Sequence, residues 1–280
     1  MTPGLIRPSD FQRLADLAFR HFGIHLPEKK RQLVTNKFSN VLMRRGYDSW
    51  GMFIDDIEAD SSGRLLLEFA DKLTTNHTYF FREDGHFETL AKYVLDVRMP
   101  PGSEVDGESL RIWCAGCATG EEAYSLGITL LEHRGGIRPF ASPPILATDI
   151  SFSALKKAKD GFYDSERLKN VPMVLNRRYF KETFPGSVEV KDVLKSAILF
   201  KRLNFMADAY PFRRRFQAIF CRNVMIYFND ESKEHVVSRI AGVLEPGGLF
   251  FIGHSETIPR PQEFGLESLG SAVYRKEDAQ

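Results

Sequence analysis

The sequence predicts an α/β protein in which an all-helical segment precedes a mostly parallel sheet covered by helices on both faces, with a small antiparallel β-subdomain inserted. Three observations carry this. Up to about residue 80, apolar residues recur at helical spacing with short turns between them. From residue 110, short runs rich in β-branched and aromatic residues alternate with helical stretches, the pattern of strands buried between helices. Residues 161–196 break that alternation with Arg177-Arg178-Tyr179-Phe180, the turn-like Pro185-Gly186-Ser187 and the alternating Val188-Glu189-Val190.

The elements follow in order. A first helix is expected from Ser9-Asp10, where a capping residue precedes Phe11, Leu14, Leu17 and Ala18. A second should start near Pro27, carry Leu33, Val34, Phe38, Val41 and Leu42 inward, and stop at Gly46 as a left-handed cap. Stretches at 48–59 and 62–75 complete the helical part. Strands are read at 110–115, 144–149, 197–205, 216–221 and 248–253, with helices at 120–133, 151–160 and 230–244, the last closed by Pro246-Gly247-Gly248. AVYRKE at 272–277 reads as a final strand, able to pair antiparallel at the sheet's edge. Met99 to Glu108, with two prolines and two glycines, reads as a solvent loop.

Composition narrows the function classes. A chain of 280 residues, 43% hydrophobic and 27% charged, suits one large domain or two unequal ones. Lys+Arg at 38 against Asp+Glu at 37 leaves a net charge of +1, so no global field points to nucleic acid or a membrane surface. The longest apolar runs are far shorter than a membrane helix, and the opening residues lack a signal-peptide core. Cys114, Cys117 and Cys221 make no disulfide framework. A monomeric cytoplasmic protein is expected, with neither nucleic-acid binding nor membrane insertion.

The chemistry-bearing loop is Ala115-Gly116-Cys117-Ala118-Thr119-Gly120-Glu121-Glu122, a strand end, small residues and a helix start that admit a ligand close to the backbone. Small residues also serve tight turns, so the loop alone is a weak signal. Two carboxylates at the helix entry repel phosphate and tolerate a cation. Asp149 ends the second strand, where a carboxylate accepts hydrogen bonds from ribose hydroxyls in nucleotide-binding sheets. Together these point to an adenosyl ligand without a pyrophosphate. Cys114-Ala115-Gly116-Cys117 is a CxxC, but no second pair accompanies it; small-residue filling is the expected reading and no metal is expected.

Thr74-Thr75-Asn76-His77-Thr78-Tyr79-Phe80-Phe81-Arg82-Glu83 resembles the TTNxTxFFRE signature of chemotaxis receptor methyltransferases, the CheR family. Four blocks agree in order: Thr119 to Ser125, Ala147 to Ile150, Phe220 to Phe228 and Gly253-His254-Ser255-Glu256. The resemblance implies a Rossmann-like class I methyltransferase with a mostly parallel seven-stranded sheet. It implies a receptor-docking helical domain at 1–80, a linker and first helix contributing to the cofactor site at 81–100, a catalytic domain at 101–280 and the β-subdomain at 161–200. The implied reaction moves a methyl group from S-adenosylmethionine to glutamate side chains of chemotaxis receptors, giving methyl esters and S-adenosylhomocysteine.

Residue roles follow from the same resemblance. Asn76, Thr78 and Arg82 would contact the methionyl part, Arg82 as a fork on its carboxylate. Glu121 or Glu122 would engage the amino group, with Glu122 slightly favoured. Asp149 would hold the ribose, and Asn204 with Phe205 would flank adenine. Arg222, Asn223 and Tyr227 would line the transfer pocket, with Tyr227 and Arg222 positioning the acceptor carboxylate; His254 would sit at its edge.

Between Glu28 and Gly46 stand Lys29, Lys30, Arg31, Lys37, Arg44 and Arg45, opposed only by Glu28. Such a helix is either a solvated face or a seat for the acidic methylation helices of receptors. Some family members also hold a receptor's C-terminal pentapeptide on the β-subdomain by strand addition. Here Phe180 is separated from Val188 only by Lys181 to Ser187, short and glycine-poor, so independence of the pentapeptide is expected. A methyltransferase for another protein or a small carboxylate, and a non-catalytic S-adenosylmethionine sensor, are the competing readings.

Overall fold

The computed structural model describes residues 4–74, 76–98, 109–135 and 139–278. The chain divides into two compact units: Met1–Thr75 joined by Asn204–Ala207 and Tyr227–His235, and the remainder, Asn76–Leu203, Asp208–Ile226 and Val236–Gln280.

In the first unit, helix α1 spans Pro8–Phe22 and ends at Gly23 in the left-handed region. It begins earlier than Ser9, because Pro8 presets the helical φ and Arg7 stands at the cap position, ion-paired with Asp10 at 2.9 Å. A single 3-10 turn, Glu28–Lys30, leads into α2, Arg31–Arg45, which Gly46 closes as expected with φ 75°. Helix α3, Trp50–Ala59, is capped by the Ser49 hydroxyl, and α4 covers Arg64–Leu73. Val34, Phe38 and Leu42 of α2 are buried, with Phe38 packed on Phe69 at 5.3 Å between ring centroids. Leu33 does not join them: it is 50% exposed, because one residue rotates a helix by about 100° and Val34 already takes the inward position. Ile24 bridges antiparallel to Phe228, and the His25 amide donates to the Tyr227 carbonyl, so Tyr227–His235 is sewn to this unit by backbone.

In the second unit, α5 (Gly85–Leu90) runs through a π turn at Ala91–Leu95 into the short α6 (Asp96–Arg98). Then follow β1 (Ile112–Ala115), α7 (Glu121–His133), β2 (Ile145–Asp149) and α8 (Phe152–Asp160). The insertion holds β3 (Phe162–Asp164), α9 (Met173–Tyr179), β4 (Phe180–Phe184), β5 (Ser187–Val190) and α10 (Asp192–Lys195). The chain returns through β6 (Ile198–Arg202), β7 (Phe216–Phe220), α11 (Asp230–Val243), β8 (Leu244–Phe251), β9 (Leu266–Gly270) and β10 (Val273–Lys276).

The seven-stranded sheet has the order β6-β2-β1-β7-β8-β10-β9, parallel except for the β10 pairings. All residues of β1 and β7 are buried, which is why they read as continuous apolar runs. The three-stranded sheet β3-β5-β4 is antiparallel throughout.

The strand bounds differ from expectation in three places. The third strand stops at Arg202, and Asn204–Ala207 cluster with the first unit. The fifth starts at Leu244, so Pro246 and Gly247 fall inside it, where the pairing with β7 shifts register. The final strand is antiparallel but second from the edge; β9 covers it, unseen in sequence because only its first residue is buried and no alternation marks it. The expected loop at 99–108 lies outside the described residues.

Candidate functional site

The loop leaving β1 is built around its neighbours' carbonyls. Amides of Gly116 and Cys117 both donate to the Thr148 carbonyl, at 2.8 and 2.9 Å, which folds the loop back over the end of β2. Gly116 has φ 84°, and a Cβ there would stand 2.4 Å from a methyl of Val224, so only glycine fits. Ala118 adopts φ 47°, an uncommon conformation for alanine, and its amide is held at 2.8 Å by the Asp149 carboxylate. The other oxygen of Asp149 accepts from the Ser151 amide at 2.9 Å, and the Ser151 hydroxyl caps α8 and lies 3.5 Å from the Asn76 amide. Asp149 thus sets the loop at the C-terminal end of a parallel strand, where open α/β sheets bind ligands.

The two adjacent glutamates separate cleanly. Glu121 is fully buried and accepts from Thr119 and from Arg167, each at 2.6 Å. Arg167 also donates to the Thr78 carbonyl, so Glu121 ties the inserted subdomain to the 76–83 segment. Glu122 is half-buried; burial pushes its carboxyl above the ordinary range while the nearby Arg222 charge opposes the rise. The Cys114 thiol donates to it at 3.2 Å, and Arg222 Nη1 lies 3.1 Å from it.

Arg222 is the hub. Its side chain is 1% exposed, and its Nε and Nη2 both donate to Glu83 Oε2, at 3.2 and 3.0 Å. Nη2 also donates to the Arg82 carbonyl. Burial would raise the Glu83 carboxyl, but Arg222 and the His254 amide outweigh it and hold it below the ordinary range. Phe81 and Glu83 both have positive φ, 54° and 56°, so the 80–84 turn is strained; the Phe81 amide donates to the Ser125 hydroxyl, and Phe80 is fully buried against Tyr163 and Phe180. The Arg82 guanidinium stays partly exposed, 5.7 Å from the Tyr79 ring centroid.

A second buried acid shapes the loop after β7. Glu256 accepts from the amides of Asn223 and Gly253 at 2.7 Å each and of Ile226 at 3.2 Å. Burial pushes its carboxyl up, against those amides. Asn223 has φ 58°, and a Cβ on Gly253 would meet its side-chain nitrogen at 2.3 Å.

The remaining expected residues fall in the first unit. The Asn204 side chain donates to the His21 carbonyl at 2.7 Å and accepts from the Met206 amide at 3.0 Å; Phe205 is buried. Tyr227 lies under Lys30, 5.7 Å from ring centroid to Nζ. The six cations do not share one helix face. Lys29 and Lys30 belong to the 3-10 turn, Arg31 pairs with Glu28 and Arg45 with Glu68, while Lys37 donates to the carbonyls of Leu73 and Thr74. Lys30, Lys37 and Arg44 are spaced by seven in the sequence, but Lys37 is tied to the end of α4 and Lys30 precedes α2.

The site residues not foreseen from sequence are Glu83, Arg167, Ser151 and Glu256. Glu83 and Glu256 stood inside recognised blocks and carried a signal; the Arg167 contacts span 46 and 89 residues, which no local pattern reveals. Cys114, Cys117 and Cys221 are buried and unpaired, their thiols pushed up by burial, so they fill space as neutral thiols.

Comparison with known proteins agrees over nearly the whole chain. Residues 76–273 match the family described as CheR methyltransferase, SAM binding domain, and residues 9–74 match CheR methyltransferase, all-alpha domain. The chain is 36% identical to a chemotaxis protein methyltransferase of Borreliella burgdorferi, covering 97% of this chain and 95% of that one. It is 36% identical to chemotaxis protein methyltransferase 2 of Pseudomonas aeruginosa, over 95% and 92%. The same identity relates it to the chemotaxis protein methyltransferase of Escherichia coli, over 94% and 89%.

Proposed function

The chain belongs to the CheR family of chemotaxis methyltransferases, with S-adenosylmethionine as cofactor, and from that premise we propose that it esterifies glutamate side chains on the cytoplasmic methylation helices of chemotaxis receptors. The observation that carries the reading is the Glu83–Arg222–Glu122 cluster beneath the β1–α7 loop, which offers a carboxylate at a glycine-lined helix start. Phosphate would be repelled there, whereas the ammonium of a methionyl group is attracted. Glu122, rather than the fully committed Glu121, takes the ammonium. Asn76, Thr78 and Arg82 hold the rest of the methionyl group, Asp149 the ribose, Asn204 and Phe205 the adenine, and Asn223 lines the pocket.

When bound, the cofactor supplies an electrophilic methyl group on a sulfonium. The acceptor glutamate is already ionised at neutral pH, so no strong base is needed and alignment dominates. Tyr227 orients that carboxylate through its hydroxyl. Arg222, buried and ion-paired with two acids, acts as a positioning residue: it holds Glu122 by charge and the Arg82 backbone by hydrogen bond. Replacing Tyr227 by Phe is expected to lower kcat/KM on receptor by about 10- to 100-fold with cofactor affinity kept; full activity would overturn the assignment.

Lys29, Lys30, Arg31, Lys37, Arg44 and Arg45 steer the acidic receptor helices, with Lys30 resting over the Tyr227 ring. The β4–β5 hairpin turns over Pro185-Gly186 alone, with no glycine-rich loop beside β4 to clasp a peptide. Docking through a receptor C-terminal pentapeptide is therefore not part of the mechanism, and calorimetry with such a peptide should show no binding. Among the described residues no helix is long and apolar enough to cross a membrane.

A further inference from the structure

We propose that Glu83, His86 and His254 form a labile site for a divalent transition-metal ion of the zinc type, beside the Arg222 hub. One ligand atom from each residue lies within 4.8 Å of the others. His86 is 1% exposed, and its Nε2 lies 2.8 Å from the Ser271 carbonyl. A carbonyl only accepts, so Nε2 carries the hydrogen and Nδ1 of the neutral ring presents a lone pair. That Nδ1 is buried without a hydrogen-bond partner and lies 3.7 Å from Glu83 Oε2, another acceptor. Two acceptors aimed at each other in a buried corner are stabilised by a cation between them. The His254 ring stands almost perpendicular to that of His86, with centroids 4.9 Å apart.

Two imidazoles and a carboxylate are a donor set that zinc takes, and a backbone carbonyl fixing the tautomer of a ligand histidine is the usual supporting arrangement. With zinc–nitrogen bonds of about 2.0–2.1 Å, two ligand atoms on one ion sit no more than roughly 4.2 Å apart, so the three must close slightly. The exposed His254 side chain has room to turn and do so. Arg222 limits the affinity, since it shares Glu83 with the ion. Binding therefore has a consequence: metal that draws Glu83 away from Arg222 loosens the hold on Glu122 and the Arg82 backbone, and slows methyl transfer. The metal site stands on geometry alone, whereas this brake rests on the proposed function.

The test uses the full chain without an affinity tag. Titration with zinc by calorimetry, and with cobalt(II) by its visible absorption, is expected to show one equivalent bound with the intense bands of a four-coordinate ion. His254→Ala should weaken binding by at least about tenfold, and raise by the same factor the zinc needed to inhibit methylation of receptor membranes. Equal affinity in His254→Ala, or no saturable zinc binding to the wild type, would overturn the site. Binding that leaves methylation untouched would overturn the brake. Saturable, His254-dependent binding in a protein that methylates no receptor would uphold the site while refuting the function.

Discussion

A buried guanidinium between two carboxylates decides the behaviour of the site at the residue scale. Arg222→Met would leave Glu83 and Glu122 uncompensated, and breaking such a pair costs about 3–5 kcal/mol. Glu83 is held below the ordinary carboxylate range, so its stabilisation is full above that range and is lost as pH falls through its lowered value. The Arg222→Met deficit in Tm should accordingly be largest near neutral pH and shrink as acid neutralises both carboxyls. Glu122 runs the other way: raised by burial, it protonates at a higher pH than the ordinary value of 4.5. Cofactor affinity should therefore weaken on acidification sooner than an exposed glutamate would cause. Glu122→Gln is expected to lower that affinity by about tenfold or more and to abolish the acid limb, which calorimetry across pH would read. Much of this was legible in sequence, since Arg82, Glu122, Asp149 and Arg222 stand in recognisable blocks. What was not legible is which acid is committed: adjacent letters say nothing of Arg167, a neighbour of Glu121 only after the inserted subdomain folds.

At the scale of elements, the β1–α7 loop works because its backbone is pinned from below by Thr148 and from the side by Asp149. Gly116→Val would force Val224 aside and strain a positive φ, costing roughly 1–3 kcal/mol and misplacing the 223–226 loop. Both a lowered Tm and a raised cofactor Kd are expected, by thermal denaturation and calorimetry. Buried strands such as β1 and β7 announce themselves in sequence because both faces are covered, whereas the solvent-facing β9 does not. The basic segment was legible as charge but not as geometry. Arg31 and Arg45 are drawn to Glu28 and Glu68, and Lys37 to the carbonyls of Leu73 and Thr74. Reversing Lys30 and Arg44 to Glu should raise KM for receptor membranes several-fold at low salt and flatten the dependence on ionic strength, with cofactor Kd unchanged. An unchanged KM would remove Lys30 and Arg44 from docking.

For the whole molecule, the fold brings acids from distant segments, Glu83, Glu122, Asp149 and Glu256, to the C-terminal edge of one parallel sheet, each matched to a guanidinium or to backbone amides. That arrangement suits a cationic adenosyl cofactor. The proposed acceptor is a receptor glutamate. The most direct test is transfer of isotope-labelled methyl from S-adenosylmethionine to receptor-containing membranes, followed by mild base. Label is expected on the receptor, released by base as methanol and largely abolished by Tyr227→Phe. Label that resists base, or none at all from an enzyme that binds the cofactor, would rule out a receptor glutamate as the acceptor.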